Sequence, residues 1–435
     1  MNGAYVGTWS LAPNAPDTLQ YDPAWTQSEQ GRALSLSLPF RPGNAPHRGD
    51  KVRAYFENLL PDSKDIRDRL AQRFNTGSTG AFDLLAEIGR DCAGALEILP
   101  EGATSTGTSP LQSEPLSEAQ VAQVLRSTTT SHAMGWGVDD DDFRISIAGA
   151  QEKTALLLRD GQWARPRGNT PTTHIFKLPL GLVGGMKLDM RNSVENEWLC
   201  SLILREFGLP VADCRPMQFE DVKALVVVRF DRAWWTHPSG DSRLVRLPQE
   251  DMCQATGVPP EAKYEADGGP GIYRILDLVD GSMTREQDRR DFFKTQLLFW
   301  MLCATDGHAK NFSLFLRPGG RYQLTPLYDV LSAYPVLEEG PRKISPFKAK
   351  MAMAVRSKNV RWKMRDVLRR HWVALGARHG VLEESGREVE HLIDGIVART
   401  PEVIAKVRAQ LTKGFSAPLA DAVFEGMQDA AKRLA

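Results

Sequence analysis

The chain has 435 residues, of which 42% are hydrophobic, and its 54 lysines and arginines are balanced by 54 aspartates and glutamates. This length allows two or three domains with a sizeable core, so the fold needs neither disulfides nor a structural metal. A chain without net charge has no general attraction for nucleic acid or anionic lipid, which argues against autonomous DNA binding.

Cysteine usage and hydropathy bear on the compartment. The five cysteines lie far apart and form no C-x-x-C pair, which favours buried free thiols in a reducing cytosol over a disulfide or zinc framework. The longest apolar run, residues 297–304, is far shorter than the roughly 20 residues that span a bilayer. We therefore expect a cytoplasmic protein with no membrane segment.

The first 100 residues show a mixed α/β pattern that predicts an accessory domain. A period-two run at 33–38 predicts a strand, and helical patterns cover 51–60 and 81–88. Residues 101–142 lack periodicity, apart from a short helix that begins after Ser117 and ends near Ser127. They predict a linker.

The rest of the chain changes from strands to helices. Residues 143–250 predict a strand-rich lobe, and residues 251–435 predict an all-α C-terminal lobe. Strands are predicted at 144–147, 154–158, 174–178 and 224–228, with one helix at 193–207. Further helices are predicted at 287–304, 360–375, 388–398, 403–411 and 419–434.

The segment after the helix predicted at 287–304 has the spacing of a kinase catalytic loop. Asp306 and Asn311 form an Asp-x4-Asn motif, in which the Asp meets the attacking hydroxyl and the Asn reaches a metal ion on the phosphates. About one such pair is expected by chance in a chain this long. The motif therefore needs support from elsewhere in the sequence.

Three further residues supply that support. Asp329 follows Asn311 by 18 residues, which suits the second metal ligand of a kinase. Lys177 ends an apolar strand, where its ammonium could reach the α- and β-phosphates. Glu197, on the helix that follows, is the preferred partner of Lys177, because Glu195 falls nearer the polar side.

The small-residue loop 146–153 lies ahead of Lys177, where a kinase keeps its phosphate-covering loop. It is neither a G-x-G-x-x-G nor a Walker motif, so its position carries the interpretation. Taken singly, Asp306 and Asn311 could cap a helix, Asp329 could lie in a turn and Lys177 on a surface strand. His308 is more consistent with orienting the loop than with acting as a base.

Several segments together resemble the HipA family of serine/threonine protein kinase toxins. They are SIAGAQEKT (146–154), PTTH (171–174), LPQED (247–251), DGGPG (267–271), TDGHAKNFS (305–313), TPLYD (325–329), LSLP (36–39) and ENLLPDS (57–63). The resemblance implies an α+β, bilobal protein-kinase-like fold related to phosphatidylinositol kinases. In that fold an accessory domain and a strand-rich lobe precede the helical lobe.

The resemblance also implies the site. Asp306 would be the catalytic base, Asn311 and Asp329 the Mg2+ ligands, and Lys177 the phosphate-binding lysine of an ATP site. Autophosphorylation of Ser146 would pull the ATP loop out of this site. That loop comprises Ile147, Ala148, Gly149, Ala150, Gln151, Glu152 and Lys153.

Other positions follow from the same resemblance. Backbone groups of Val228 and Phe230 would recognise adenine, although close relatives carry Glu where Val228 stands. Tyr328 would also line the nucleotide site. Gln249, Glu250 and Asp251 would lie near the catalytic cleft. The part that matches residues 3–7 follows an additional strand in relatives, so the first sheet is expected to lack an edge strand.

The partners implied are a small helix-turn-helix antitoxin similar to HipB and, through it, operator DNA. The substrate implied is a cellular protein, with an aminoacyl-tRNA synthetase suggested by the family. Two alternatives stay open. Small-molecule phosphotransferases share the Asp-x4-Asn and Asp arrangement, and a corepressor scaffold could serve a DNA-binding partner without catalysis.

Overall fold

The computed structural model describes residues 1–103, 105, 111–129, 148–149, 151–236 and 242–435. The strands are β1 Gly7–Ser10, β2 Thr18–Tyr21, β3 His47–Arg48, β4 Ser113–Pro115, β5 Lys153–Arg159, β6 Gln162–Pro166, β7 His174–Lys177, β8 Gly181–Val183, β9 Leu188–Met190, β10 Cys214–Phe219, β11 Val222–Val228, β12 Arg232–Thr236, β13 Ser242–Arg246, β14 Gln249–Asp251, β15 Ser313–Leu316, β16 Tyr322–Leu324, β17 Lys350–Arg356 and β18 Val360–Lys363. The helices are α1 Pro23–Gln27, α2 Asp50–Glu57, α3 Lys64–Phe74, α4 Ala81–Ile88, α5 Glu118–Ser127, α6 Ser193–Glu206, α7 Met252–Thr256, α8 Ile272–Val279, α9 Arg285–Met301, α10 Arg369–Arg378, α11 Val389–Gln410 and α12 Ala417–Leu434.

The chain divides into two compact units, each built from separated segments. The first unit contains residues 1–178, 215–262 and 313–322, and the second contains residues 179–214, 263–312 and 323–435. In the part of the chain that the structure describes, no helix is both long and apolar enough to cross a bilayer.

The first unit begins with a small sheet in the order β1-β2-β3. Its core includes Trp9, whose ring stacks on Phe56 at 3.8 Å. The strand predicted at 33–38 is wrong, because this segment forms a turn in which the Leu38 amide donates to the Ser35 carbonyl over 3.0 Å. Leu34, Ser35 and Leu38 are buried and Leu36 is half-buried, so burial in this turn does not follow the period-two alternation of the sequence.

The main sheet of the first unit has the order β10-β11-β7-β5-β6-β4. Strands β5, β7 and β11 confirm those predicted at 154–158, 174–178 and 224–228, whereas the strand predicted at 144–147 lies outside the described residues. Helix α5 begins at a capping box formed by Ser117. Its Val121 and Leu125 belong to one buried cluster with Phe176 of the sheet, so packing against the sheet stabilises this short helix.

The second unit is largely helical. Helix α11 packs against α6, α10 and α12, and α9 packs against α8 and α12. Trp372 is fully buried and meets Phe293 edge to face, with ring centroids 5.9 Å apart. The helices predicted at 193–207, 287–304 and 419–434 are confirmed.

Two predictions for residues 251–435 are wrong. This range is not all-α, because β17 and β18 form a hairpin and residues 360–363, predicted as the start of a helix, are β18. The helices predicted at 388–398 and 403–411 are one helix, α11, that runs through Pro401. A proline costs an interior helix one hydrogen bond, but Ile396 and Val403 on either side of Pro401 are both buried, so packing keeps the helix continuous.

Candidate active site

The loop that carries Asp306 starts at a sharp end of α9. Cys303 adopts a left-handed conformation with φ 52°, and the Ala304 amide donates to the Phe299 carbonyl over 2.8 Å, as in common helix C-caps. Gly307 then passes against the Phe299 ring, where an added Cβ would lie 2.4 Å from a ring carbon. The apolar helix therefore fixes where Asp306 lies.

Asn311, one of the two predicted metal ligands, is hydrogen-bonded to Asp329, the other. Its side-chain Nδ2 donates to the backbone carbonyl of Asp329 over 3.1 Å, and its Oδ1 accepts from the His308 amide over 3.2 Å. The Tyr328 hydroxyl donates to the Lys310 carbonyl over 2.9 Å. The structure thus brings together the two segments that the sequence spacing had paired.

The segment that begins at Asp329 is held against the end of α9. Asp329 has a left-handed backbone with φ 61°, a conformation that costs a non-glycine residue energy and persists only where its surroundings enforce it. The Ser332 Oγ donates to the Leu302 carbonyl over 2.6 Å, and the Ala333 amide donates to the Cys303 carbonyl over 3.0 Å. These bonds satisfy carbonyls that the helix end leaves open.

Helix α6 is bonded to the same segment. The Asn196 side chain donates to the Ser332 carbonyl over 2.8 Å and accepts from the Ser332 amide over 2.9 Å. The next residue, Glu197, is 6% exposed, whereas Glu195 is half-buried. This agrees with the predicted inward face of the helix.

The donor set formed by Asn311 and Asp329 fits Mg2+. An amide oxygen and a carboxylate are hard oxygen ligands, and Mg2+ usually takes one or two carboxylates from the protein with the remaining positions left to water and phosphate. Asn311 is 3% exposed, and its bond to the Asp329 carbonyl limits the rotation of its amide. The two residues that carry these groups are therefore directly bonded to each other.

In the first unit, Lys177 lies at the end of β7 and is 6% exposed. Lys153 of β5 is its cross-strand neighbour. The Gln151 Nε2 donates to the Leu178 carbonyl over 2.5 Å, and the Leu178 amide donates to the Glu152 carbonyl over 3.0 Å. The second half of the predicted ATP loop is therefore bonded to the strand end that carries Lys177.

The same loop contacts the accessory α/β region of the first unit. The Gly149 carbonyl accepts from the Asp62 amide over 3.0 Å, and Glu152 forms an ion pair with Arg69. Gly149 has φ 114°, and a Cβ there would lie 2.4 Å from the Lys153 Nζ. Ala148 is half-buried, and the predicted site residues Ser146, Ile147 and Ala150 lie outside the described residues.

The predicted adenine-binding segment ends β11. Val228 is 41% exposed and pairs with His174 of β7, while the Phe230 ring meets Phe315 edge to face at 5.8 Å. Burial, with a smaller contribution from Arg215, lowers the pKa of His174 to about 4. A neutral imidazole therefore lies beside the exposed end of this strand at neutral pH.

A buried ion cluster that the sequence analysis missed surrounds Asp91. Arg232 and Arg229 contact its carboxylate at 2.8 and 3.2 Å, Arg246 contacts it at 3.2 Å, and Asp231 contacts Arg229 at 2.8 Å. Burial raises the pKa of Asp91, but the three guanidinium groups outweigh burial and hold this pKa well below its usual range. Arg229, Asp231 and Arg232 are close in sequence, but Asp91 precedes Arg229 by 138 residues, so no local pattern signals the whole cluster.

Residues 249–251 take structural positions in the first unit. The Gln249 side chain donates to a carboxylate of the ion cluster, and Glu250 accepts from the Leu36 amide over 2.9 Å. Burial raises the pKa of Glu250 to about 8. Asp251 caps α7 by accepting from the Gln254 amide over 2.8 Å.

Comparison with known proteins decides the family. The HipA N-terminal domain family matches residues 1–99, and the HipA-like C-terminal domain family matches residues 145–404. A Sinorhizobium fredii protein named as a candidate kinase, Y4mE, is 32% identical over 413 residues, which are 93% of this chain and 90% of that protein. The serine/threonine-protein kinase toxin HipA of Shewanella oneidensis is 28% identical over 325 residues, which are 72% of this chain and 69% of that protein.

The chain belongs to the HipA family of serine/threonine kinase toxins. Its fold is that of HipA in the Shewanella oneidensis complex of HipA, HipB and operator DNA, with a TM-score of 0.75 and 26% sequence identity over 98% of this chain and 95% of that one. The predicted resemblance is therefore confirmed. In this HipA-family chain, the PTTH and LPQED segments supply Thr172 to the Asp91 carboxylate and Gln249 to Asp231.

Proposed function

We propose that this chain uses Mg-ATP to phosphorylate serine or threonine of a cellular protein. The observation that carries the proposal is the bond from the Asn311 amide to the Asp329 backbone, on the same loop that carries Asp306. Kinase catalysis needs a base, an amide and a second carboxylate in that order. Mg2+ bound by Asn311 and Asp329 would neutralise charge on the phosphates.

Each proposed role is matched to a described side chain. Asp306 would accept the proton of the acceptor hydroxyl, because its side chain is exposed to an incoming acceptor while the Tyr264 hydroxyl bonds to its Oδ1. Buried Lys177 would hold the α- and β-phosphates, with Glu197 as its acidic partner. The end of β11 is exposed at Val228, where backbone groups of Val228 and Phe230 would recognise adenine. Tyr328, whose hydroxyl donates to the Lys310 carbonyl, would also line the nucleotide site.

The loop of residues 147–153 would cover the phosphates, and Ser146 at its start would be the autophosphorylation site. This proposal is supported by the hydrogen bond between Gly149 and Asp62 and by the ion pair between Glu152 and Arg69, which fix two positions of the loop. A phosphate adds roughly −1.5 to −2 charges at neutral pH. Modification of Ser146 would therefore displace the loop and switch the enzyme off.

A helix-turn-helix antitoxin similar to HipB is the proposed partner, with operator DNA reached through it. The similarity to a HipA that was solved with HipB and operator DNA supports this proposal, and so does the absence of net charge on this chain. The acceptor would be an aminoacyl-tRNA synthetase, whose modification would arrest growth. A corepressor role would coexist with catalysis if the Asp306→Asn variant still binds antitoxin and represses.

The test traces the labelled γ-phosphate of ATP to its acceptor. Wild-type chain and Asp306→Asn are incubated with γ-labelled ATP, Mg2+ and a bacterial lysate depleted of nucleotides, and acid-precipitable label is separated from label on metabolites. We expect label on protein serine or threonine with wild type and nearly none with the variant. Label only on a metabolite would instead identify a small-molecule phosphotransferase, and label on neither would contradict both.

A further inference from the structure

Tyr264 contacts the proposed catalytic base, although no catalytic motif includes it. Its phenolic hydroxyl donates a hydrogen bond to Oδ1 of Asp306. Its ring meets the His308 ring edge to face, with centroids 5.0 Å apart, and the carbonyl of the preceding Lys263 accepts from the Ala309 amide over 3.2 Å. Three contacts therefore join residues 263–264 to the loop of residues 306–309.

The segment that carries Tyr264 is itself anchored. The Glu265 carboxylate accepts from the Ala354 amide over 2.6 Å and from Nε of Arg356 over 3.0 Å, both on β17. Gly271 leaves room for this carboxylate, because a Cβ at that position would lie 2.1 Å from its carbon atom. The Tyr264 carbonyl accepts from the Gly269 amide over 2.9 Å. Tyr264 is thus held by a strand of the second unit rather than by a loop alone.

We propose that Tyr264 is a positioning residue for the phosphoryl transfer, acting through Asp306. A carboxylate has two oxygens, and the phenol holds Oδ1, so the side chain cannot rotate freely and Oδ2 stays in one place. Correct placement of a reacting group within a fraction of an ångström governs the rate of such transfers. This inference rests on the proposed function, since it assumes that Asp306 is the base.

The proposed reaction transfers the γ-phosphoryl group of ATP to the acceptor hydroxyl. The acceptor oxygen forms a bond to the γ-phosphorus, the bond from that phosphorus to the β,γ-bridging oxygen breaks, and ADP leaves. The proton of the acceptor hydroxyl moves to Oδ2 of Asp306. If the Tyr264 hydroxyl is removed, the carboxylate can turn away from the acceptor. The rate of protein phosphorylation should then fall more than the rate of ATP hydrolysis. A water molecule can reach a displaced carboxylate, whereas the hydroxyl of a bound protein acceptor cannot.

The test uses Tyr264→Phe, which removes the hydroxyl and keeps the ring beside His308. We expect kcat for labelling of lysate proteins to fall about tenfold to a hundredfold, with the KM for ATP and the melting temperature unchanged. We also expect more ADP released per phosphate transferred. The matched control is Tyr5→Phe, because the exposed Tyr5 hydroxyl bonds to the Thr8 hydroxyl in the accessory region of the first unit. This control should keep the wild-type rate.

A double substitution separates positioning from general damage. In the Asp306→Asn background, Tyr264→Phe should lower the residual rate no further, since Tyr264 acts through the carboxylate. A wild-type rate in Tyr264→Phe, a faster rate, or an additive loss in the double variant would each overturn the inference. Inactivity of the wild type in the same assay would instead overturn the proposed function, so the two failures are distinguishable.

Discussion

The buried ion cluster of the first unit and the catalytic loop of the second unit use carboxylates in opposite ways. Asp91 meets three arginines within 3.2 Å, so its charge is neutralised inside the chain. Asp306 is held by the neutral phenol of Tyr264, which orients a carboxylate without cancelling its charge. The carboxylate of Asp91 is therefore surrounded by cations within the fold, whereas the contact that Tyr264 makes with Asp306 is a hydrogen bond from a neutral group.

This contrast predicts that the carboxylates of the proposed active site can be neutralised at little cost to folding. Asp329→Asn should lower phosphoryl transfer by about a thousandfold or more, because the metal-binding charge is lost. Asparagine tolerates the left-handed backbone observed at this position, so circular dichroism and melting temperature should match those of the wild type. Retained activity in the folded variant would contradict the assignment of Asp329.

Neutralising the cluster should have the reverse effect. Asp91→Asn leaves three buried guanidinium groups without their shared anion, and removing one partner of a buried pair costs about 3–5 kcal/mol. Urea unfolding of the full chain would measure the loss. Asp189→Asn is the control, since the ion pair of Asp189 with Arg191 is solvent-exposed and its loss should leave the unfolding midpoint unchanged. Equal stability of both variants would show that the cluster does not hold the first unit.

Glu250 offers a way to sharpen the comparison by pH. Its pKa is raised by burial to about 8 in the folded chain, from an ordinary value of 4.5, so the folded state keeps a proton that the unfolded state loses. The stability that this proton supplies is present below pH 4.5 and is lost as the pH rises through 8. Glu250→Gln stays neutral, so it should gain on the order of 3 kcal/mol over the wild type between pH 5 and pH 9. If the difference in unfolding free energy between Glu250→Gln and the wild type stayed constant over this pH range, a buried, protonated Glu250 would be contradicted.

The smallest expected effect is the stabilisation of the folded chain by bound ATP. ATP should raise the melting temperature only with Mg2+, and binding to the native state alone supplies about 2.7 kcal/mol at a hundredfold excess over Kd. Asp329→Asn should lose this Mg2+-dependent increase, whereas Asp189→Asn should keep it. An equal shift by ATP in chelator would count against the proposed metal ligands.

The approach of Asn311 to Asp329 could be predicted because kinase chemistry requires a fixed spacing along the chain. Asp306 and Asn311 lie five residues apart, and Asp329 follows within 18 residues, so one window of sequence holds the whole pattern. Tyr264 could not be found in this way, since it is 42 residues from Asp306. Arg246 and Asp91 are separated by 155 residues, and only the tertiary fold pairs them.

The errors in secondary structure have a related cause. Residues 33–38 alternate like a strand but form a turn that buries Leu34, Ser35 and Leu38. Residues 360–363 follow a helical spacing but pair with β17. Periodicity reports which side chains are buried, and several backbone paths can bury the same set. By contrast, α5 and α12 show helical periodicity over at least ten residues, and α6 was found because Gly208 and Pro210 mark its end.

The two hydrogen bonds between Asn196 and Ser332 tie helix α6 to the segment that follows Asp329. A displacement of α6 must either break both bonds or carry Ser332 with it, and Ser332 in turn holds the last carbonyls of α9. Glu197 is the next residue on that helix. Any shift of α6 would therefore move Glu197 together with the segment that follows Asp329.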